Sequence, residues 1–142
     1  MATSVATAGY GCLFKIGDGA GSEVFATIAE VTSIDGPGLS MDTIEVTHME
    51  SPNAAREYIA GLKDGGEISL ELNLLPDDTN QTALRTCWMN RTLRNFKVSW
   101  TDTTPAVWSF AGFVTSYQPS AAVDDKLSCS VTIKLTGVPT FA

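Results

Sequence analysis

The chain has one histidine, His48, and it stands between Glu45 and Glu50. An imidazole beside carboxylates can act as a general base or a metal ligand. Either role needs company: a nucleophile within reach of the ring, or further ligands at metal-binding spacing. There is no second histidine, and Cys12, Cys87 and Cys129 show no CxxC spacing. His48 therefore reads as a loop or interface residue. Cys87 becomes a nucleophile only beside a base, and its place on the apolar stripe of an expected helix favours a buried structural thiol.

The remaining candidates have similar alternatives. Gly17, Gly19 and Gly21 resemble a phosphate-cradling loop, but a strand follows them and not a helix N-terminus, so the anion-binding geometry is missing. They read as a hairpin turn. Asp77 and Asp78 start a helix, where carboxylates favour the dipole, and Asp124 and Asp125 sit in a turn. Neither pair has the partners of acid–base catalysis or of a calcium loop. Asn80-Gln-Thr82 and Asn90-Arg-Thr92 match glycosylation acceptors by chance, inside the expected helix. Trp88, Trp100 and Trp108, with Phe110 and Phe113, could stack sugars or bases; core packing is the preferred reading. No catalytic residue, metal site or cofactor site survives, and an enzyme is the least supported class.

Composition narrows the partners. The 142 residues suit a single domain, expected over 1–142. Charged residues are 18% and the net charge is −7. The nearest approach to a cationic cluster is Arg85, Arg91 and Arg94 with Lys97, too little for tight binding of phosphates. An odd number of cysteines points to reduced thiols in a cytoplasmic setting. No run approaches 18 apolar residues, so no membrane span is expected. The opening Met1–Gly9 lacks the basic and apolar regions of a signal peptide, and residues 1–10 read as a flexible arm.

Period-two alternation dominates the rest. Ile68, Leu70, Leu72 and Leu74 alternate with Glu67, Ser69, Glu71 and Asn73. Phe96, Val98 and Trp100 alternate with Asn95, Lys97 and Ser99, and Leu127, Cys129, Val131, Ile133 and Leu135 with Ser128, Ser130, Thr132 and Lys134. Each run predicts a half-buried strand. Further strands are expected at about 11–17, 23–34 and 106–118, with turns at 17–22 and 101–105. One helix, about 79–92, follows Pro76-Asp77-Asp78, with Asp78 as cap and Gln81 in the capping-box position. Its apolar stripe is Leu84, Cys87 and Trp88. The final strand is expected to end before residues 137–142, and no further domain is expected after it.

Residues 35–65 break the pattern. Gly36-Pro37-Gly38 ends a strand, Ser51-Pro52-Asn53 interrupts the middle, and Asp64-Gly65-Gly66 turns. Met41–Met49 alternates between Thr43, Glu45 and Thr47 on one side and Ile44, Val46 and His48 on the other, as half of a protruding hairpin or loop would. A connection of this length marks a functional or partner surface.

Read in order, Met41-Asp-Thr-Ile-Glu-Val-Thr-His-Met-Glu-Ser-Pro-Asn53, Arg56-Glu-Tyr-Ile-Ala-Gly-Leu-Lys-Asp-Gly-Gly66, the strand Glu67–Asn73 and Pro76–Gln81 with Leu84 resemble the major tail tube proteins of long-tailed (siphovirus-type) bacteriophages. The likeness covers about a third of the chain closely. It implies a mainly β fold, a β-sandwich or barrel-like tail-tube fold with one flanking helix, whose copies join into hexameric rings that stack into a genome conduit. It also implies a place in the virion after assembly in the host cytoplasm. Expected partners are other copies, a tape measure, a terminator and a tail tip, with double-stranded DNA passing unbound. The protruding segment would reach neighbouring copies through Met41, Thr43, Ile44, Glu45, Val46, Thr47, His48, Ser51 and Pro52, ordering only on assembly. Glu67, Ser69, Glu71 and Asn73 are lumen candidates, on a strand of about 33 Å at 3.3 Å per residue. Two other readings stand beside this one. The chain could be an inner-tube or tail-end protein of a contractile injection system, or a monomeric glycan-binding sandwich using its tryptophans.

Overall fold

Apolar residues at every second position bury one face of a strand and leave the other wet. Glu67–Asn73 (β6) follows that rule: Ile68, Leu70 and Leu72 are buried, and Glu67, Ser69 and Glu71 are exposed. The computed structural model describes residues 3, 4, 6, 9–19, 24–101 and 106–141. Much of the expected arm at 1–10, part of the turn at 17–22 and most of the turn at 101–105 lie outside the described residues.

The remaining elements are β1 (Leu13–Gly17), β2 (Phe25–Thr27), β3 (Val31–Asp35), β4 (Ser40–Glu45), β5 (Tyr58–Asp64), α1 (Thr79–Asn90), β7 (Arg94–Trp100), β8 (Ala106–Ser120) and β9 (Ser128–Phe141). Among the described residues one seven-stranded sheet runs β2-β1-β7-β8-β9-β6-β3, and β4 pairs only with β5. All pairings are antiparallel.

The long strands β8 and β9 slip register between Ser109 and Ala111 and again between Val114 and Ser116. Such irregularities bend and twist a sheet, and here the two halves face each other across one core. Phe14, Ile16, Phe96 and Val98 come from one half, and Ile68, Leu70, Leu72, Val131 and Ile133 from the other. The rings of Phe14, Phe96 and Phe110 pack with centroids 5.6 to 6.2 Å apart. Burial of each such side chain contributes about 1.5–3 kcal/mol.

The helix leans on β8 and sends Leu84 and Cys87 into this core. Asp78 caps it, accepting a bond from the Gln81 amide at 3.0 Å. The reciprocal half of the expected capping box is absent, because the Gln81 side chain turns inward. It accepts from the Leu75 amide at 2.8 Å and donates to the carbonyls of Ala29 at 2.9 Å and Asn73 at 3.0 Å. Gln81 is thus a buried polar residue that sews α1 to β6 and to the turn before β3.

Several expectations are corrected. The single strand expected at 23–34 is two strands, broken at Ala29-Glu30, where Glu30 adopts a left-handed conformation (φ 63°). Its carboxylate accepts from Asn73 and its carbonyl from the Asn73 amide, which holds that unusual turn. Trp88 is not on the buried stripe but 54% exposed, since the helix packs through Gln81, Leu84 and Cys87. The final strand does not stop before residue 137 but runs to Phe141. Gly137, Val138 and Pro139 fall within its register shift, where a proline interrupts no ladder bond.

Candidate assembly interface

The β4–β5 hairpin leaves the body between two glycine-rich corners. Gly66 has φ 71°, and the Gly38 carbonyl occupies the place its side chain would need. Only glycine permits both. The corner is then clipped on three sides: the Gly38 amide to the Glu67 carbonyl (3.2 Å), the Leu135 amide to the Gly66 carbonyl (3.0 Å), and the Gly66 amide to Asp64 Oδ1 (2.9 Å). Lys134 Nζ lies 3.5 Å from Asp64 Oδ2. The Gly66 bond and the nearby ammonium hold the Asp64 carboxyl below its ordinary range. The base of the hairpin is therefore fixed to the body.

Beyond the base, cross-strand partners share a face: Ile44 with Ile59, Thr43 with Ala60, Glu45 with Tyr58, and Met41 with Lys63. Between Met41 and Thr43 the register shifts, so Asp42 faces both Gly61 and Leu62. Every residue of β4 is exposed, and on β5 only Gly61 is not. Met41, Ile44, Val46, Tyr58, Ile59 and Leu62 are all at least 42% exposed, and Met49 at the tip is fully so. A lone two-stranded hairpin is at best marginally stable in water, and this one shows apolar side chains on both faces.

The tip brings together three residues that sequence alone left apart. Ser51 Oγ donates to Glu57 Oε2 at 2.7 Å and lies 3.0 Å from His48 Nδ1. It also accepts from the His48 amide at 2.9 Å, while Thr47 Oγ1 accepts from the Glu57 amide at 2.8 Å. His48 Nδ1 is 4.0 Å from Glu57 Oε2. Serine, histidine and a carboxylate make a hydrolase relay when histidine stands in the middle, taking the serine proton and being oriented by the acid. Here serine stands in the middle. The trio ties the loop into a compact knob, and Pro52–Ala54 forms a short 3-10 turn across it.

Of the expected interface residues, Met41, Thr43, Ile44 and Glu45 lie on β4, and Val46, Thr47, His48, Ser51 and Pro52 form the distal loop. Tyr58, Ile59 and Leu62, inside the expected 35–65 segment but not named individually among its contact residues, lie across the ladder from β4 and are equally exposed. Glu67, Ser69 and Glu71 lie on the exposed face of β6, in register with Lys134, Thr132 and Ser130 of β9. Asn73, half-buried, donates to Glu30 Oε2 at 2.8 Å and so differs from the other three.

No group of three His, Cys, Asp or Glu among the described residues could hold a metal, and no helix is long and apolar enough to cross a membrane. Burial pushes the thiols of Cys87 and Cys129 up from their ordinary range, which leaves them protonated and inert. Trp100, Trp108 and Phe141 stack edge-on in series, at 5.4 and 4.7 Å.

The fold matches solved tube structures. The tail of an empty gene transfer agent (GTA) particle, computed with helical refinement in C6 symmetry, aligns with a TM-score of 0.80 at 24% identity, over 96% of this chain and 99% of that one. The sheath/tube terminator of an extracellular contractile injection system (PVC) in the extended state aligns at 0.73 and 18%, over 99% of each. The SPP1 tail tube aligns at 0.65 and 15%, over 92% of this chain and 74% of that one. No curated protein matches the chain by sequence. At these identities the likeness shows the fold alone. The family follows from the sequence match of residues 17–142 to the model described as "Lambda phage tail tube protein, TTP". This chain belongs to the lambda phage tail tube protein family, as a structural component of a phage tail.

Proposed function

We propose that this chain, folded as a single domain, closes into hexameric rings whose stacking forms the conduit for genome delivery. The observation that carries the reading is the β4–β5 hairpin: a rigidly based projection with apolar side chains on both faces. An exposed surface of that kind is a liability on a lone domain and a contact surface in an assembly. Met41, Thr43, Ile44, Glu45, Val46, Thr47, His48, Ser51 and Pro52, with Tyr58, Ile59 and Leu62, are its interface residues. The free edges of β2 and β3 would be covered by neighbouring copies.

Glu67, Ser69 and Glu71 line the lumen in this reading, with Asn73 at its margin. Six copies at −7 give −42 per ring. An acidic wall repels phosphates, so double-stranded DNA passes without sticking. The tape measure, terminator and tail tip are the partners at the tube's interior and ends. Assembly in the host cytoplasm is consistent with the free thiols of Cys12, Cys87 and Cys129. The role is structural and not enzymatic, for which the serine-centred order of the tip trio is support. A tube of a contractile injection system is the second reading, favoured by the likeness to the PVC terminator.

The test is to replace residues 42–57 with a short Gly-Asn turn. The variant should remain folded, with circular dichroism and melting close to those of the parent, and should form no tubes. Tubes of normal yield from the truncated chain would refute the proposal.

A further inference from the structure

Trp88 and Met89 follow Arg85 at helical spacings of three and four, which places all three on one side of α1. Arg91 caps the helix just beyond them in a left-handed conformation. Trp88 is 54% and Met89 67% exposed, and Leu93, just after the helix, is exposed as well. From Thr79 to Thr101 the chain carries Arg85, Arg91, Arg94 and Lys97 and no carboxylate. Two of these cations are occupied within the fold. Arg94 donates to the Gly17 carbonyl through Nε (3.0 Å) and Nη2 (2.7 Å), and Lys97 Nζ sits 4.1 Å from the centroid of the Phe25 ring. Among the described residues the guanidinium groups of Arg85 and Arg91 have no hydrogen-bond or ion-pair partner. The helix therefore presents a tryptophan and a methionine bracketed by two unpaired arginines. Buried Trp and Arg are the side chains that most often anchor interfaces.

The distal hairpin has the opposite character. Residues 42–57 contain Asp42, Glu45, Glu50 and Glu57 against Arg56 alone, a net −3. They surround Met49, Ile44 and Val46, all exposed. Glu57 is engaged at the tip, while Asp42, Glu45 and Glu50 have no partner among the described residues.

We infer that the hairpin tip of one copy docks on the Trp88 face of the helix of a second copy, with Met49 against the indole and Glu45 and Glu50 opposite Arg85 and Arg91. The inference rests on the tube reading above and names the surface that receives the hairpin. Thioether–aromatic contact and two charge pairs complement one another in chemistry. Both surfaces are present on every copy and are not the same surface. Such a contact can run head-to-tail through rings or stacks; only a reciprocal two-fold exchange would stop it at a pair, and that would show as disulfide-linked dimers without a ladder.

Two experiments test it on the full-length chain. In the first, Arg85→Glu with Arg91→Glu should raise the concentration needed for assembly by about tenfold or more. Adding Glu45→Arg and Glu50→Arg should restore it. Circular dichroism guards against misfolding of either variant. In the second, Met49→Cys with Trp88→Cys in a Cys12→Ser background should give a ladder of disulfide-linked oligomers on oxidation, while each single cysteine should not. If wild-type protein forms tubes but the reversal is neutral and no ladder appears, the helix face is not the receiver; an exterior tail protein then becomes its candidate occupant and the tube reading stands. If wild-type protein forms no tubes, both ideas fail.

Discussion

Ser51 Oγ donates to Glu57 Oε2 at 2.7 Å, linking the two arms of the hairpin tip six residues apart in sequence. The bond makes the distal loop a shaped knob and not a slack connection. Because the same oxygen accepts from the His48 amide and contacts His48 Nδ1, one hydroxyl holds three points of the loop.

Ser51→Ala should therefore loosen the tip without touching the body. Amide exchange at His48 and Ser51 should rise several-fold, with a melting temperature within about 5 °C of the parent, since a hydrogen bond contributes about 0.5–1.5 kcal/mol. Unchanged exchange at these amides would show that the trio does not order the tip.

Gln81 carries more. Its amide satisfies the Leu75 N–H and the carbonyls of Ala29 and Asn73 in a buried setting. Gln81→Leu keeps the size and leaves those groups unpaired, at about 1–3 kcal/mol for each that water cannot reach. Urea denaturation should show a loss of about 3 kcal/mol or more. A loss below about 1 kcal/mol would mean that water replaces the side chain.

The Asp64 carboxyl is held below its ordinary range by the Gly66 amide first and by Lys134 second. A depressed carboxyl contributes stability that is present above its unfolded value, near pH 4, and is lost as pH falls through the folded value. The melting temperatures of wild type and Asp64→Asn should differ by a constant amount from pH 5 to 8, and the difference should shrink as pH falls below the ordinary carboxyl value and through the lowered one. A gap that stays the same at every acid pH down to acid unfolding would contradict this account of the hairpin base.

Cys87 and Cys129 are buried, and desolvation raises both thiols, whereas Cys12 is partly exposed. Ellman's reagent at pH 8 should label one thiol promptly in native protein and three after denaturation. Prompt labelling of Cys87 would show that α1 opens from the sheet.

Strand positions were legible wherever one face is apolar: Ile68, Leu70 and Leu72, or Val131 and Ile133, are buried as their alternation implies. The hairpin was legible as a break in that pattern, bounded by Gly36-Pro37-Gly38 and Gly65-Gly66. Glu30 was not, because a left-handed turn at a glutamate leaves no glycine or proline to read. Gly137 and Pro139 misled in the other direction, since they read as the end of a strand that accommodates them in an irregularity and continues to Phe141. Trp88 was placed inside by hydrophobicity, although the helix buries Gln81 in preference. A buried, fully bonded glutamine cannot be told from a surface one by its letter. Residues of β4 were singled out by their own alternation, whereas Tyr58, Ile59 and Leu62 became comparable only once the ladder placed them across from β4 with equal exposure.

The most direct measurement is electron microscopy of the purified wild-type protein, imaged across a concentration series. The account predicts hollow filaments with six-fold end views above a threshold concentration. A protein that stays monomeric at every concentration, or that forms solid aggregates without a channel, would contradict it.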